Sequence, residues 1–330
     1  FACPPLLFAC PPLLFACPPL LRFQPCKPTG GRTHRFAPTE RFEYRQSYSS
    51  LAGFTLVELV VTIVIIGILS SLGGMFISRP IEGYIDLERR TELVDQAEMA
   101  LRRMQRDIRA ALPNSVRVSD DQKRVEFLHV VDGGRYRRAV GDGTNVLKFT
   151  SPDSDGFEVL GGLQHSGDVD LGDWIVVYNL SSDKDNNSTK ANAYCDSGDV
   201  SNIADMNRVQ HAGYAEDPPG SGHMVLSFAS KQFPFPSPLQ RFFIVDEAVT
   251  YKISADKLTR HTRSSFNNDQ HDPNAVDGDL VAKHIILSDS TFTYAAGTTT
   301  RSGLVTMQLA LENKGERITL LHQVHVDNAP

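Results

Sequence analysis

Apolar residues follow three different rhythms along this 330-residue chain. From Phe54 to Ile77 they run almost without interruption, and Glu58 is the one charged residue in that stretch. At ~1.5 Å per residue the run makes roughly 36 Å of helix, enough to cross a ~30 Å hydrocarbon core. It predicts a transmembrane helix over 54–77. Beyond Pro80 the rhythm becomes amphipathic. Ile81, Tyr84, Leu87, Val94, Ala97, Leu101, Met104, Ile108 and Leu112 recur in steps of three, four or seven. The other face carries Glu88, Arg89, Arg90, Arg102, Arg103 and Arg106. The pattern predicts that the helix continues over 78–112, lays its apolar stripe on a sheet of the same chain, and is closed by Pro113. Gly67, Gly73-Gly74 and Pro80 mark places where it can bend or melt.

After Pro113 the period shortens to that of strands. "VEFLHVV" (125–131), "WIVVYNL" (174–180), "MVLSFA" (224–229) and "RFFIVDEAVTYKIS" (241–254) are rich in β-branched and aromatic residues. The last part of the chain predicts a hairpin. Val305, Met307, Leu309 and Leu311 alternate with polar neighbours, "NKGE" (313–316) turns the chain, and Ile318, Leu320, Val324 and Val326 alternate again. A long helix followed by antiparallel strands over 113–330 makes an α+β fold. Between the strands, 181–223 is a polar stretch rich in Asp, Asn, Ser, Gly and Pro, and it reads as a long loop.

Charge and cysteine placement refine this picture. The net charge of −6 argues against a nucleic-acid partner. It is unevenly spread. Residues 1–53 hold six of the 33 basic residues and two of the 39 acidic ones, so residues 54–330 carry −10. A basic head and an acidic body fit a short cytoplasmic leader and an exported remainder. Cys3, Cys10, Cys17 and Cys26 all lie near the N-terminus, which leaves Cys195 with no cysteine in the body to pair with. "FACPPLL" occurs three times in succession from Phe1 to Leu21. So regular a repeat reads as upstream DNA translated in frame, and residues 1–45 are set aside from the fold. Residues 1–53 as a whole form the leader.

Glu58 needs an explanation that a plain anchor does not supply, because a carboxylate within an apolar span is costly without a partner. Gly53 also precedes the apolar run, whereas a secretory signal has its small-residue cleavage site after it. The segment "GFTLVELVVTIVIIGIL" resembles the class III signal of type IV pilins and pseudopilins. The resemblance implies a pilin-like fold. It also implies that prepilin peptidase cuts after Gly53, that Phe54 becomes an N-methylated terminus, and that Glu58 pairs with the terminal ammonium of a neighbouring subunit. The partners it implies are prepilin peptidase, other minor and major pilins and an inner-membrane assembly platform. The N-terminus would be cytoplasmic and the body periplasmic before the subunit enters a pilus or pseudopilus. The family's leader is short and basic, whereas about fifty residues precede Gly53 here.

Three further stretches, "LRRMQRDIRAALPNSVRV" (101–118), "VVDGGRYRRAV" (130–140) and "VHVDNAP" (324–330), resemble minor pilins of the mannose-sensitive haemagglutinin (MSHA) pilus. "QRFFIVDEAVTYKI" (240–253) fits the same pattern. This resemblance implies a low-abundance subunit that primes or caps a filament. Two alternatives stay open: a minor pseudopilin of type II secretion, and a tip adhesin whose 181–223 loop binds a carbohydrate or surface.

No enzyme is expected. The ten histidines do not fall at metal-ligand spacing, and no phosphate loop or nucleophile elbow occurs. His322 and His325 lie three apart on an expected strand and so face opposite sides. "DKDNNS", with Asp183, Asp185 and Asn187, begins like a calcium loop, but it lacks the glycine at the sixth place and has Tyr194 at the twelfth. Neither metal nor cofactor is expected, and Cys195 reads as a lone loop thiol rather than a nucleophile.

Overall fold

The structure is a computed structural model, and it describes residues 53–139, 145–151, 156–182, 191–195, 206–267, 269–274, 278–298 and 301–330. The chain divides into two units, Phe1–Val64 and Ile65–Pro330, with the boundary inside the long helix. In the first unit, described from Gly53, three non-helical residues lead into that helix and every side chain is exposed. The second unit contains the rest of the helix and all the strands.

The helix, α1, spans Leu56–Arg109 and runs without a break through Gly67, Gly73, Gly74 and Pro80. The expected melting points are therefore helical. An interior proline withholds its N–H and crowds the carbonyl four residues back, at a cost of about 3 kcal/mol, so the bonds on either side hold the turn. The buried stripe is shorter than the spacing predicted. Leu93, Ala97, Ala100, Leu101, Met104 and Ile108 are buried, whereas Ile81, Tyr84 and Leu87 are exposed. Leu93 and Ala100 complete a face with steps of three and four that the first three residues do not share with the core. Arg102, Arg106 and Arg109 face solvent on the other side.

The strands form two antiparallel sheets. The larger contains β1 (Arg117–Val118), β2 (Arg124–Tyr136), β3 (Phe157–Leu160), β4 (Trp174–Val176), β5 (Arg208–Glu216), β6 (Met224–Phe228), β7 (Arg241–Ser254), β8 (Lys257–Arg263) and β9 (Asp279–Lys283). β2 pairs with both β3 and β7, so the order β2-β3-β6-β5-β4-β7 returns to β2 and closes a six-stranded ring. The smaller sheet is β10 (Thr291–Ala295), β11 (Gly303–Asn313) and β12 (Glu316–Val326). An isolated bridge pairs Ile285, two residues past the end of β9, with Leu311 of β11.

Two cores result. The first holds the helix stripe with Val125 and Phe127 of β2, Val249 and Tyr251 of β7, and Val305, Met307, Leu309 and Leu311 of β11. Ile318, Val324 and Val326 of β12 join it, so the alternation expected of the terminal hairpin is the alternation observed. Its turn uses Lys314 (φ 51°) and Gly315 (φ 91°), the pair of positive φ angles that a tight two-residue hairpin needs. The second core fills the ring with Tyr136, Phe157, Phe228, Phe233 and Phe242, and Phe157 packs edge-on against Phe242 at 4.9 Å. Gly133 allows β2 to close on β7 here, because a Cβ would lie 2.9 Å from the Phe242 carbonyl oxygen.

Two expectations are corrected. "WIVVYNL" is a strand only as far as Val176, because Tyr178 takes φ 59° and ends the run. The 181–223 stretch is not one loop. Ala191 to Cys195 are buried, and Arg208–Glu216 forms β5 between β4 and β6. "RVQHAGYAE" has too few apolar positions to alternate, and its two neighbours supply the pairing that makes it a strand. Asp183, Asp185 and Asn187 of the calcium-like segment lie outside the described residues, as do 196–205.

Candidate processing and assembly segment

The residues singled out for processing and assembly, Gly53, Phe54 and Glu58, lie together where α1 begins. Gly53 has no atom within 4 Å of the position a Cβ would take, and Phe54 is 80% exposed. Among the described residues, none packs on the Cβ side of Gly53. Thr55 caps the helix. Its Oγ1 accepts the Glu58 backbone N–H at 3.3 Å, and its carbonyl accepts the Leu59 N–H at 3.1 Å. Thr55-Leu56-Val57-Glu58 has the Thr-x-x-Glu spacing of a capping box, a signal that the sequence reading passed over. Glu58 occupies the first turn, where the helix dipole favours a negative charge, and it is exposed. From Leu56 to Gly73 the helix has a mean hydropathy of 2.4 and none of this span is buried. All but Gly73 of these eighteen residues are exposed, and such a span suits lipid and not water.

Charged groups in the body are arranged as supports for the fold. The Tyr251 hydroxyl donates to Asp107 Oδ2 at 2.7 Å, and Arg260 Nε donates to the same oxygen at 2.9 Å. Arg260 also reaches Glu247 at 3.3 Å. This ties the end of the helix to β7 and β8. Burial, reinforced by Asp107, pushes the Tyr251 phenol well above its ordinary range. Glu126, fully buried on β2, accepts from Arg117 at 3.1 Å, from Arg263 at 3.3 Å and from the His271 N–H at 2.8 Å. His129 Nδ1 lies 2.9 Å from Asp246 Oδ1, and that hydrogen bond raises the imidazole above its usual value.

Among the described residues, no group of three His, Cys, Asp or Glu side chains could hold a metal ion. His322 is half-buried with its Nε2 3.0 Å from Gln105 Oε1, while His325 is exposed, so the pair does face opposite ways. Cys195 is not in a disulfide, and it is buried rather than presented on a loop surface. Tyr194 beside it is a core residue that donates to the Ser115 carbonyl at 2.9 Å.

Residues 50–73 match the family model of the prokaryotic N-terminal methylation motif. The chain carries the class III prepilin signal. This signal indicates a type IV pilin-like protein that is processed as a prepilin and assembled at the membrane with other pilins. With the apolar helix over Leu56–Gly73, it suggests a single-pass inner-membrane anchor. No curated protein and no solved structure matches the chain.

Proposed function

We propose that the protein is a minor pilin-like subunit that helps initiate or cap an MSHA-type pilus, of the kind represented by MshO. Prepilin peptidase cuts between Gly53 and Phe54, and Phe54 becomes the methylated N-terminus. Glu58 then meets the terminal ammonium of an adjoining subunit. In a low-dielectric setting neither charge is comfortable alone, so their pairing sets the axial register of assembly. The pilin-like body, with its ring of strands, stands on the periplasmic side and later on the filament, and the inner-membrane platform drives the transfer. The protein acts by position and contact and not by catalysis.

The observation that carries this reading is the motif at 50–73, at the start of an exposed apolar helix. The minor and MSHA-type assignments draw on the segments at 101–118, 130–140, 240–253 and 324–330. The test is mass spectrometry of the N-terminus of the protein taken from its native membrane. A chain beginning at Phe54 with one added methyl group is the expected result. A chain that retains the residues before Gly53 overturns the reading, because Glu58 would then have no charged terminus of this kind to meet.

A further inference from the structure

The outward face of α1 carries a second repeat that the core does not use. Glu88, Glu92, Asp95, Met99, Arg102, Arg106 and Arg109 follow one another in alternating steps of four and three, and all are exposed. A 3.5-residue period keeps one stripe turned toward a neighbouring helix; in coiled coils that stripe is apolar, and here every position but Met99 is charged. The charges along it are segregated: three acids, then Met99, then three arginines. Arg102 makes an exposed ion pair with Glu98 at 2.9 Å. Among the described residues, Glu88, Glu92, Asp95, Arg106 and Arg109 have no ion-pair partner. An open groove runs beside the acidic half, between Tyr84 and Met99.

Equal spacing within the two halves makes the stripe complementary to itself. Glu88, Glu92 and Asp95 each lie fourteen residues before Arg102, Arg106 and Arg109, respectively. We infer that this stripe is an interface for a second copy of the same chain, whose helix runs parallel and is displaced by fourteen residues, or about 21 Å. At that offset each acid of one copy faces an arginine of the other. With no offset, acid faces acid and arginine faces arginine. Two copies at the same depth in the membrane therefore repel along this face, and they attract once one has moved outward. The parallel sense rests on the reading that both apolar segments enter one membrane in the same direction. An antiparallel pair centred on Met99 would match the charges as well.

The test uses two tagged full-length chains produced together in the native membrane and cross-linked by mild oxidation. One carries Asp95→Cys and the other Arg109→Cys. The parallel displaced pair links these two positions about tenfold more than Asp95→Cys with Arg102→Cys or Met99→Cys with itself, the size expected of the two exposed ion pairs that remain, 88 with 102 and 92 with 106. Arg102→Glu with Arg106→Glu in the second chain lowers the link, and Glu88→Arg with Glu92→Arg in the first restores it. Salt weakens the link in the unmodified charge pattern. Dominant 95–102 or 99–99 products, or no recovery in the compensated pair, overturn the inference. The N-terminus of the same samples is read by mass spectrometry. An uncut chain that still links 95 to 109 defeats the processing reading alone, and a cut chain without the link defeats the displaced pairing alone.

Discussion

Replacing Glu58 by Gln separates two jobs that the structure allows this residue. One is local. Glu58 is the fourth residue of the Thr55 capping box, and its backbone N–H is held by Thr55 Oγ1 at 3.3 Å. Glutamine serves that position as well as glutamate does. What Gln loses locally is the favourable interaction of a charge with the helix N-terminus, about 0.3–1 kcal/mol, or at most about fivefold in an equilibrium. The other job is the proposed pairing with a neighbour's ammonium. Two unit charges ~4 Å apart at an effective dielectric constant of ~20 attract by about 4 kcal/mol, a ceiling of roughly a thousandfold before desolvation is subtracted. The expected outcome is normal insertion, a chain still cut to begin at Phe54, and incorporation into filaments reduced at least about tenfold. Glu58→Asp keeps the charge and retains more incorporation than Gln. The assay co-expresses each variant with the unmodified chain and measures, by mass spectrometry, the ratio of the two in sheared filaments against that in the membrane. A Gln variant that enters filaments within about fivefold of the unmodified chain refutes the pairing, because the local term alone covers that range.

Three other outcomes test the fold that carries this segment. Met104 is fully buried between sheet residues and Met99 is 66% exposed, on the same helix. Met104→Ala should cost about 2–5 kcal/mol and Met99→Ala less than about 0.5 kcal/mol, read as denaturation midpoints of the full chain from the fluorescence of Trp174, the one tryptophan. Gly156 has φ 92°, and an added Cβ would overlap the Leu226 carbonyl oxygen, so Gly156→Ala should destabilise by about 1–3 kcal/mol and loosen the β3–β6 edge in hydrogen exchange. His129 is held above its ordinary value of 6.5 by the hydrogen bond to Asp246, with Glu247 and Asp107 adding to the effect. Because the folded value is the higher one, its stabilisation is complete below the unfolded value and is lost as pH rises through the folded one. The stability gap between the native chain and His129→Gln should therefore be wider at about pH 5.5 than at about pH 8. An equal gap at both refutes the assigned cause.

Legibility from the sequence varied with how local the determining interactions were. The signal was readable because Gly53, Phe54, Thr55 and Glu58 act within one turn of chain, and the apolar run after them needs no partner to declare itself. β7 appears over Arg241–Ser254, the span its composition marked, and the terminal hairpin turns at Lys314-Gly315. β5 was not readable, because "RVQHAGYAE" has no alternation of its own and is a strand only by lying between β4 and β6. The closure of β2 onto both β3 and β7 was equally hidden. It depends on Gly133 meeting Phe242, a contact between residues more than a hundred positions apart. The helix stripe was misplaced for a related reason. Ile81, Tyr84 and Leu87 have helical spacing, but spacing states only that residues share a face, not that anything covers it. The core begins at Leu93. Before it, the helix exposes apolar and acidic side chains in an unbroken repeat that continues into the arginines after Met99. A face that is amphipathic in sequence and uncovered in the folded chain is what a subunit retains when its remaining contacts come from its neighbours. The same distinction applies to Glu58: its place in the first turn is settled locally, and the pairing proposed for its charge needs a neighbour.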